Sequence, residues 1–177
     1  MLGHPAPSDA KASSPLSDVA AQTVRVAEIC DLLEALADDL PRRSAPVWKE
    51  TTRMCRDLIE GHYQLLLGSL LPILARRTKD EVECQDVLTR LGADFDDEVS
   101  RLTELNVLMT DAVGEHGSKI GSEALGYALR CFFGSLRRST IWETEVLLPL
   151  AERRLTTKDL QELADALPLL NGQRLQS

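Results

Sequence analysis

Aromatic side chains are scarce in this chain: two Trp, two Tyr and three Phe among 177 residues. A helix-rich core built from Leu, Ala and Val gives that balance. Positive charge is also short. Twenty Lys and Arg stand against 28 Asp and Glu, a formal net charge of −8, which argues against a nucleic-acid footprint or an anionic-membrane surface. No apolar run reads as long enough to span a bilayer. The opening MLGHPAPSDAKASS has no apolar core behind a basic start, so no secretory signal is expected and the expected location is the cytoplasm. Cys30, Cys55, Cys84 and Cys131 show no Cys-x-x-Cys spacing. In a reducing compartment they are expected as free thiols. Gly-x-Ser-x-Gly, P-loop and Gly-x-Gly-x-x-Gly signatures are all missing, so no familiar nucleophile or phosphate cradle is in view. Nothing alternates like a strand.

What is present is helical periodicity, in a chain long enough for one domain with a sizeable core. Residues 1–16 are rich in Pro, Ser and Ala and read as a disordered tail that includes His4. A first helix is predicted over 17–39, capped by Ser17 and stopped by Pro41, with Val26, Ile29, Cys30, Leu33 and Leu36 on its apolar stripe. A second is predicted over 44–77, with Pro72 kinking or ending its last turn. A third opens at Thr78 with Glu81 completing a capping box, and runs to Val113. The GEHGSK loop, with His116, separates it from a fourth that ends at Arg154. Thr156 with Asp159 starts a short fifth helix, stopped by Pro168, and residues 171–177 are expected to fray. Short connections make sequential helices antiparallel neighbours. The expected fold is all-α: an up-down-up-down antiparallel four-helix bundle over 17–170, with a short extra C-terminal helix on one end.

Two stretches echo each other. GHYQLLLGSLLPILARR (61–77) and LRRSTIWETEVLLPLAERR (136–154) both end in Leu-Leu-Pro followed by an Arg-Arg pair. His62 and Ser139 each lie ten residues before the proline, on the inward face. Glu143 lies one turn beyond Ser139 on that same face, where an unpaired carboxylate is costly.

These residues resemble the hemerythrin-like, or HHE cation-binding, family, whose bundles carry a non-haem di-iron site. The resemblance covers about Val24 to Leu167 and is most specific in STIWETEVLLPLAERRLTTKDLQELADAL. In that family the second and fourth helices each read His-x-x-x-Glu, with a Leu-Phe-Pro or Leu-Leu-Pro whose proline follows the Glu by six residues. The first and third helices each supply a His. Carried over position by position, the ligand places fall on Val26, on His62 and Leu66, on Phe95 or Asp96, and on Ser139 and Glu143. The stripe favours Phe95 over Asp96, which lies about 100° round the helix. Only His62 and Glu143 survive as donors, since Val26, Leu66 and Phe95 have no lone pair to offer a metal.

Two readings of His62 and Glu143 follow. One is a buried His–Glu hydrogen bond, with Ser139 as a further partner, which satisfies both groups and needs no metal. The other is a remodelled site in which His62, Glu143 and Asp96, with waters, hold a single Fe, Mn or Zn weakly. Cys30 and Cys55 are expected to face inward at one end of the bundle. They read as small hydrophobes, with a thiol pair as the sharper alternative. The charge runs, including Asp96 to Glu98 and the Arg-Arg pairs, read as solvated faces and helix ends. Trp48 and Trp142 read as core packing.

The expected function is a non-enzymatic hemerythrin-like protein of a bacterial cytoplasm. It has largely lost the di-iron site and keeps the bundle for binding, sensing or regulation, with no cofactor. A protein partner or a homodimer is expected, and neither nucleic acid nor membrane. The alternative is a non-haem iron protein handling O2, NO or iron.

Overall fold

The computed structural model describes residues 14–40, 45–113 and 122–172, with the backbone alone at 45–49, 111–113, 122 and 168–172. His4, Pro41, His116 with its loop, and the last five residues lie outside them. Among the described residues every regular element is a helix, and there are five.

Helix α1 is Pro15–Asp38. It starts two residues ahead of the expected Ser17, so Pro15 and Leu16 belong to the helix and not to the tail. Proline fits a first position because its fixed φ is helical and its missing N–H is an orphan there anyway. Ser14 precedes it in extended geometry with no side-chain cap, and the Asp18 N–H donates to its carbonyl at 3.1 Å. The buried stripe begins well before Val26, at Val19 and Thr23, and runs on to Ala37.

Helix α2 covers 45–77 as Ala45–Leu65, a wide π turn at Leu66–Leu70, and Leu71–Arg77. Helix α4 repeats the device over 122–154: Ser122–Trp142, a π turn at Glu143–Leu147, and Leu148–Arg154. Pro72 therefore does not end α2. Proline lacks the N–H for its i−4 carbonyl and its ring presses on that turn. A widened turn just before it accommodates both, and the helix continues. Both π turns begin six residues before their proline, at Leu66 and at Glu143. The echo in sequence is thus an echo in backbone.

Helix α3 is Val82–Val113. Thr78 does not open it. Its N–H and its hydroxyl both donate to the Leu74 carbonyl, each at 2.9 Å, and so close α2. Gln85 ties the corner by donating to the Ala75 carbonyl at 3.0 Å and to the Thr78 hydroxyl at 2.9 Å. Helix α5 is Thr157–Gly172 and runs through Pro168 rather than stopping there. That proline has no N–H to donate to the carbonyl four residues back, so the helix continues past it with one bond fewer. At its start the capping geometry is reciprocal. Thr156 donates to Asp159 from its N–H at 2.8 Å and its hydroxyl at 2.6 Å, and the Asp159 N–H reaches back to the hydroxyl at 3.4 Å.

The four long helices close a ring of contacts: α1 on α4, α4 on α3, α3 on α2, and α2 on α1. Helix α5 lies against α1 and α2. Arg77 binds the buried Asp159 at 2.7 Å and Arg76 binds Glu162 at 2.7 Å, so this Arg-Arg pair clamps α5 to the end of α2 rather than standing free in solvent. Arg137 ties α4 to α1 through Asp31 at 2.6 Å and Glu34 at 2.7 Å.

Against the expectation that no apolar run is long enough, one segment among the described residues does meet the length and composition of a membrane span. Glu50–Arg77 contains a window of mean hydropathy 1.3. More than half of that window is buried against the other helices, as in a core helix.

Candidate functional site

The echoing stretches of α2 and α4 meet at the centre of the molecule. His62 comes from the turn before the α2 π turn, and Glu143 is the first residue of the α4 π turn. Both side chains are fully buried, and His62 Nε2 lies 2.7 Å from Glu143 Oε2. The Thr23 hydroxyl, from α1, donates to the same oxygen at 2.8 Å. It also lies 3.3 Å from the Val19 carbonyl, but its single proton belongs with the closer acceptor. With Nε2–H donating, Glu143 Oε2 holds two hydrogen bonds from two other helices. Three helices are thus joined at one carboxylate oxygen.

Around this cluster the centre is hydrocarbon. Val26, Leu66 and Phe95 are all fully buried. The Tyr63 ring bridges His62 and Phe95, with centroids 5.6 and 5.3 Å away. Asp96 is exposed while Phe95 points in, so Asp96 does not join His62 and Glu143. Ser139 is buried, yet it is Thr23 and not Ser139 that completes the pair. Among the described residues no three His, Cys, Asp or Glu side chains come together as a metal-binding group.

Four buried side-chain atoms lack a hydrogen-bond partner among the described residues: His62 Nδ1, Glu143 Oε1, Tyr63 Oη and Glu98 Oε2. Such atoms each carry a desolvation cost of ~1–3 kcal/mol. They belong to one neighbourhood. Burial pushes the Tyr63 phenol well above its usual range, the Glu143 and Glu98 carboxylates add to that, and the Ser139 hydroxyl opposes it.

Glu98 belongs to the acidic run expected to be a solvated face, yet only 3% of it is exposed. Burial raises its pKa, against the lowering effects of Ser135, Arg101 and Arg138. Arg101 Nη1 donates to the Ser135 hydroxyl at 2.8 Å, and that hydroxyl donates to Glu98 Oε1. Trp142, expected in the core, is 53% exposed, and the Trp48 side chain lies outside those described.

Cys30 and Cys55 are both buried and free. Burial pushes the Cys30 thiol up to about 12 and the Cys55 thiol up to about 11. The Cys30 thiol donates to the Val26 carbonyl at 3.5 Å. Neither is a reactive thiolate at neutral pH.

Thr23, Tyr63 and Glu98 were the residues that sequence reasoning missed. Thr23 had a signal, lying three residues before Val26 on the same stripe. Glu98 lies three residues beyond Phe95, so it had one too, masked by the acidic residues beside it.

No family model, curated protein or solved structure matches this chain.

Proposed function

We propose that this chain is a hemerythrin-like, up-down-up-down four-helix bundle that works without catalysis, as a binding, sensing or regulatory module. Its di-iron centre has given way to a hydrogen-bonded cluster. The supporting observation is the 2.7 Å contact between His62 and Glu143, closed by Thr23 and walled by Val26, Leu66 and Phe95. A buried carboxylate oxygen needs hydrogen-bond donors, and Glu143 Oε2 has two, from His62 and Thr23 on two other helices. A cytoplasmic location and a protein partner or second copy belong to the same reading. Metal analysis of protein purified without chelator tests it. The expected result is less than one metal per several chains. Stoichiometric iron with an oxo-bridged di-iron absorption band overturns it.

A second reading has its own support. Glu143 Oε1 and His62 Nδ1 remain unpartnered, and a helix widened at Glu143 is a common feature of functional sites. A single iron held by His62 and Glu143, for handling O2, NO or iron, would use them. It predicts that His62→Ala lowers metal content and stability together, whereas a polar pair predicts a stability loss alone.

A further inference from the structure

Helix α4 turns one strip of hydrophobic surface outward. Among the described residues eight large hydrophobic side chains are exposed, and three of them, Tyr127, Ile141 and Trp142, stand on this strip. Tyr127 and Ile141 lie seven residues from Gly134 in opposite directions, which brings both within about 20° of it round the helix. Arg138, four residues on, is exposed as well and lies about 40° round.

Gly134 sits at the middle of the strip. In a helix interior glycine is worse than alanine, because it gives up more backbone freedom and packs nothing. A Cβ added at Gly134 would meet nothing within 4 Å, so no neighbour among the described residues requires glycine there. A second backbone passing close at that point would require it. On the α3 side the strip is bordered by a cavity of about 220 Å3, with Leu105, Leu108 and Phe132 in its walls and Glu104 and Cys131 also lining it.

We propose that this face joins two copies of the chain as an isologous antiparallel pair, with the two α4 helices crossing at Gly134. A two-fold axis through the crossing sets each position before Gly134 opposite the position equally far beyond it in the other copy. Tyr127 then meets the partner's Ile141, twice over. Helix α3 lies on the same side of the pair in both copies. Arg138 falls opposite position 130, at the level of the cavity that Ala128 and Cys131 line, and so beside the partner's Glu104. Both residues are exposed, and neither makes an ion pair among the described residues of its own chain. Trp142 leans toward its own N-terminus, as long side chains on helices do, and covers the partner's cavity.

Charge selects the antiparallel arrangement. Parallel helices would set Arg138 on Arg138 and Glu104 on Glu104. The antiparallel pair makes two Arg138–Glu104 contacts instead. Arg130, which lies opposite Arg138, is already held by Asp38 at 2.6 Å. This names the docking face of the second copy within the binding-module reading, and the two fail separately. Iron at the centre would overturn that reading and leave this face untouched.

The test is sedimentation equilibrium of the full chain from about 1 to 500 µM, a range that spans micromolar dissociation constants. The mass should climb from one chain to two and no further, since a closed two-fold pair leaves no matching face open. Gly134→Leu should weaken the dimer roughly ten-fold or more. Its diluted monomer should melt no lower than the parent, because leucine is the better helix former and a Cβ there has open space. Arg138→Glu and Glu104→Arg should each weaken the dimer as well. Mixing these two variants should restore a dimer of one of each, because every opposed pair then carries one charge of each sign. Cys131, beside the crossing, should react more slowly with a thiol reagent as the dimer forms, though still ahead of the buried thiols. A mass of one chain at every concentration overturns the proposal. So does a dimer that Gly134→Leu leaves intact, or a pair of charge variants that fail to restore each other.

Discussion

A single carboxylate oxygen, Glu143 Oε2, holds the side chains of two other helices. The residue that donates from α2 has no substitute nearby: with His62 removed, Glu143 stays buried and keeps only Thr23. Breaking a buried pair from one side costs about 3–5 kcal/mol, because the orphaned charge remains. His62→Ala is therefore expected to lower the urea midpoint strongly at an unchanged m-value. The double variant His62→Leu/Glu143→Leu removes both partners and is expected to recover most of that loss. If the double variant is as unstable as the single one, the pair is not what holds these helices together. The survival of His62 and Glu143 as inward residues was legible, since a polar residue on an apolar stripe stands out. Glu98 was hidden by its neighbours. In DFDDEVSR four acids crowd the first five positions, and composition averages away the one that the 3.6 period turns inward.

Elements are joined here by arginine at their ends. Asp159 shows the clearest case: it caps α5 and receives Arg77 at 2.7 and 3.0 Å and Arg76 at 3.4 Å. The Arg77 guanidinium, helped by Thr156 and Arg76 and opposed by burial, holds its carboxyl well below the usual carboxylate range. A folded-state pKa below the unfolded value means that the unfolded chain binds the proton more readily. The contribution is then complete above the ordinary Asp value of about 3.9 and fades as pH falls from there through the depressed one. Asp159→Ala is expected to cost about 2 kcal/mol at neutral pH. It should also flatten the loss of stability below pH ~4, measured by denaturant titration across the acid range. An acid limb as steep as the parent's would mean that Asp159 does not carry it. The Thr156–Asp159 start was legible as a capping box. Its clamp to Arg76 and Arg77 was not, because 82 residues separate Arg77 from Asp159 and spacing says nothing about which helix ends meet.

At the scale of the molecule, the four cysteines sample three depths of one packed body. Cys131 is exposed, Cys84 is half-buried, and Cys30 and Cys55 are buried. With an aromatic disulfide reagent at neutral pH, Cys131 should react first and Cys84 next. Cys30 and Cys55 should wait for unfolding, so that all four titrate only in denaturant. Fast reaction of either buried thiol in the native protein would show that α1 and α2 separate more readily than their packing implies. The helical class was readable from periodicity alone. The widened turns were not, since a stripe drawn at one constant period cannot register a local change of winding.

Those widened turns make the end of each echoing helix depend on a surplus residue. Leu71 and Leu74 in one helix, and Ala151 in the other, reach the interior only after the chain has taken an extra step. Each π turn advances one residue further than an ordinary turn before it closes. A face drawn for 61–65 and extended evenly past Pro72 therefore points about 100° away from where the later leucines sit. The two prolines thereby act as phase markers: they show where the bookkeeping of inside and outside must be started afresh.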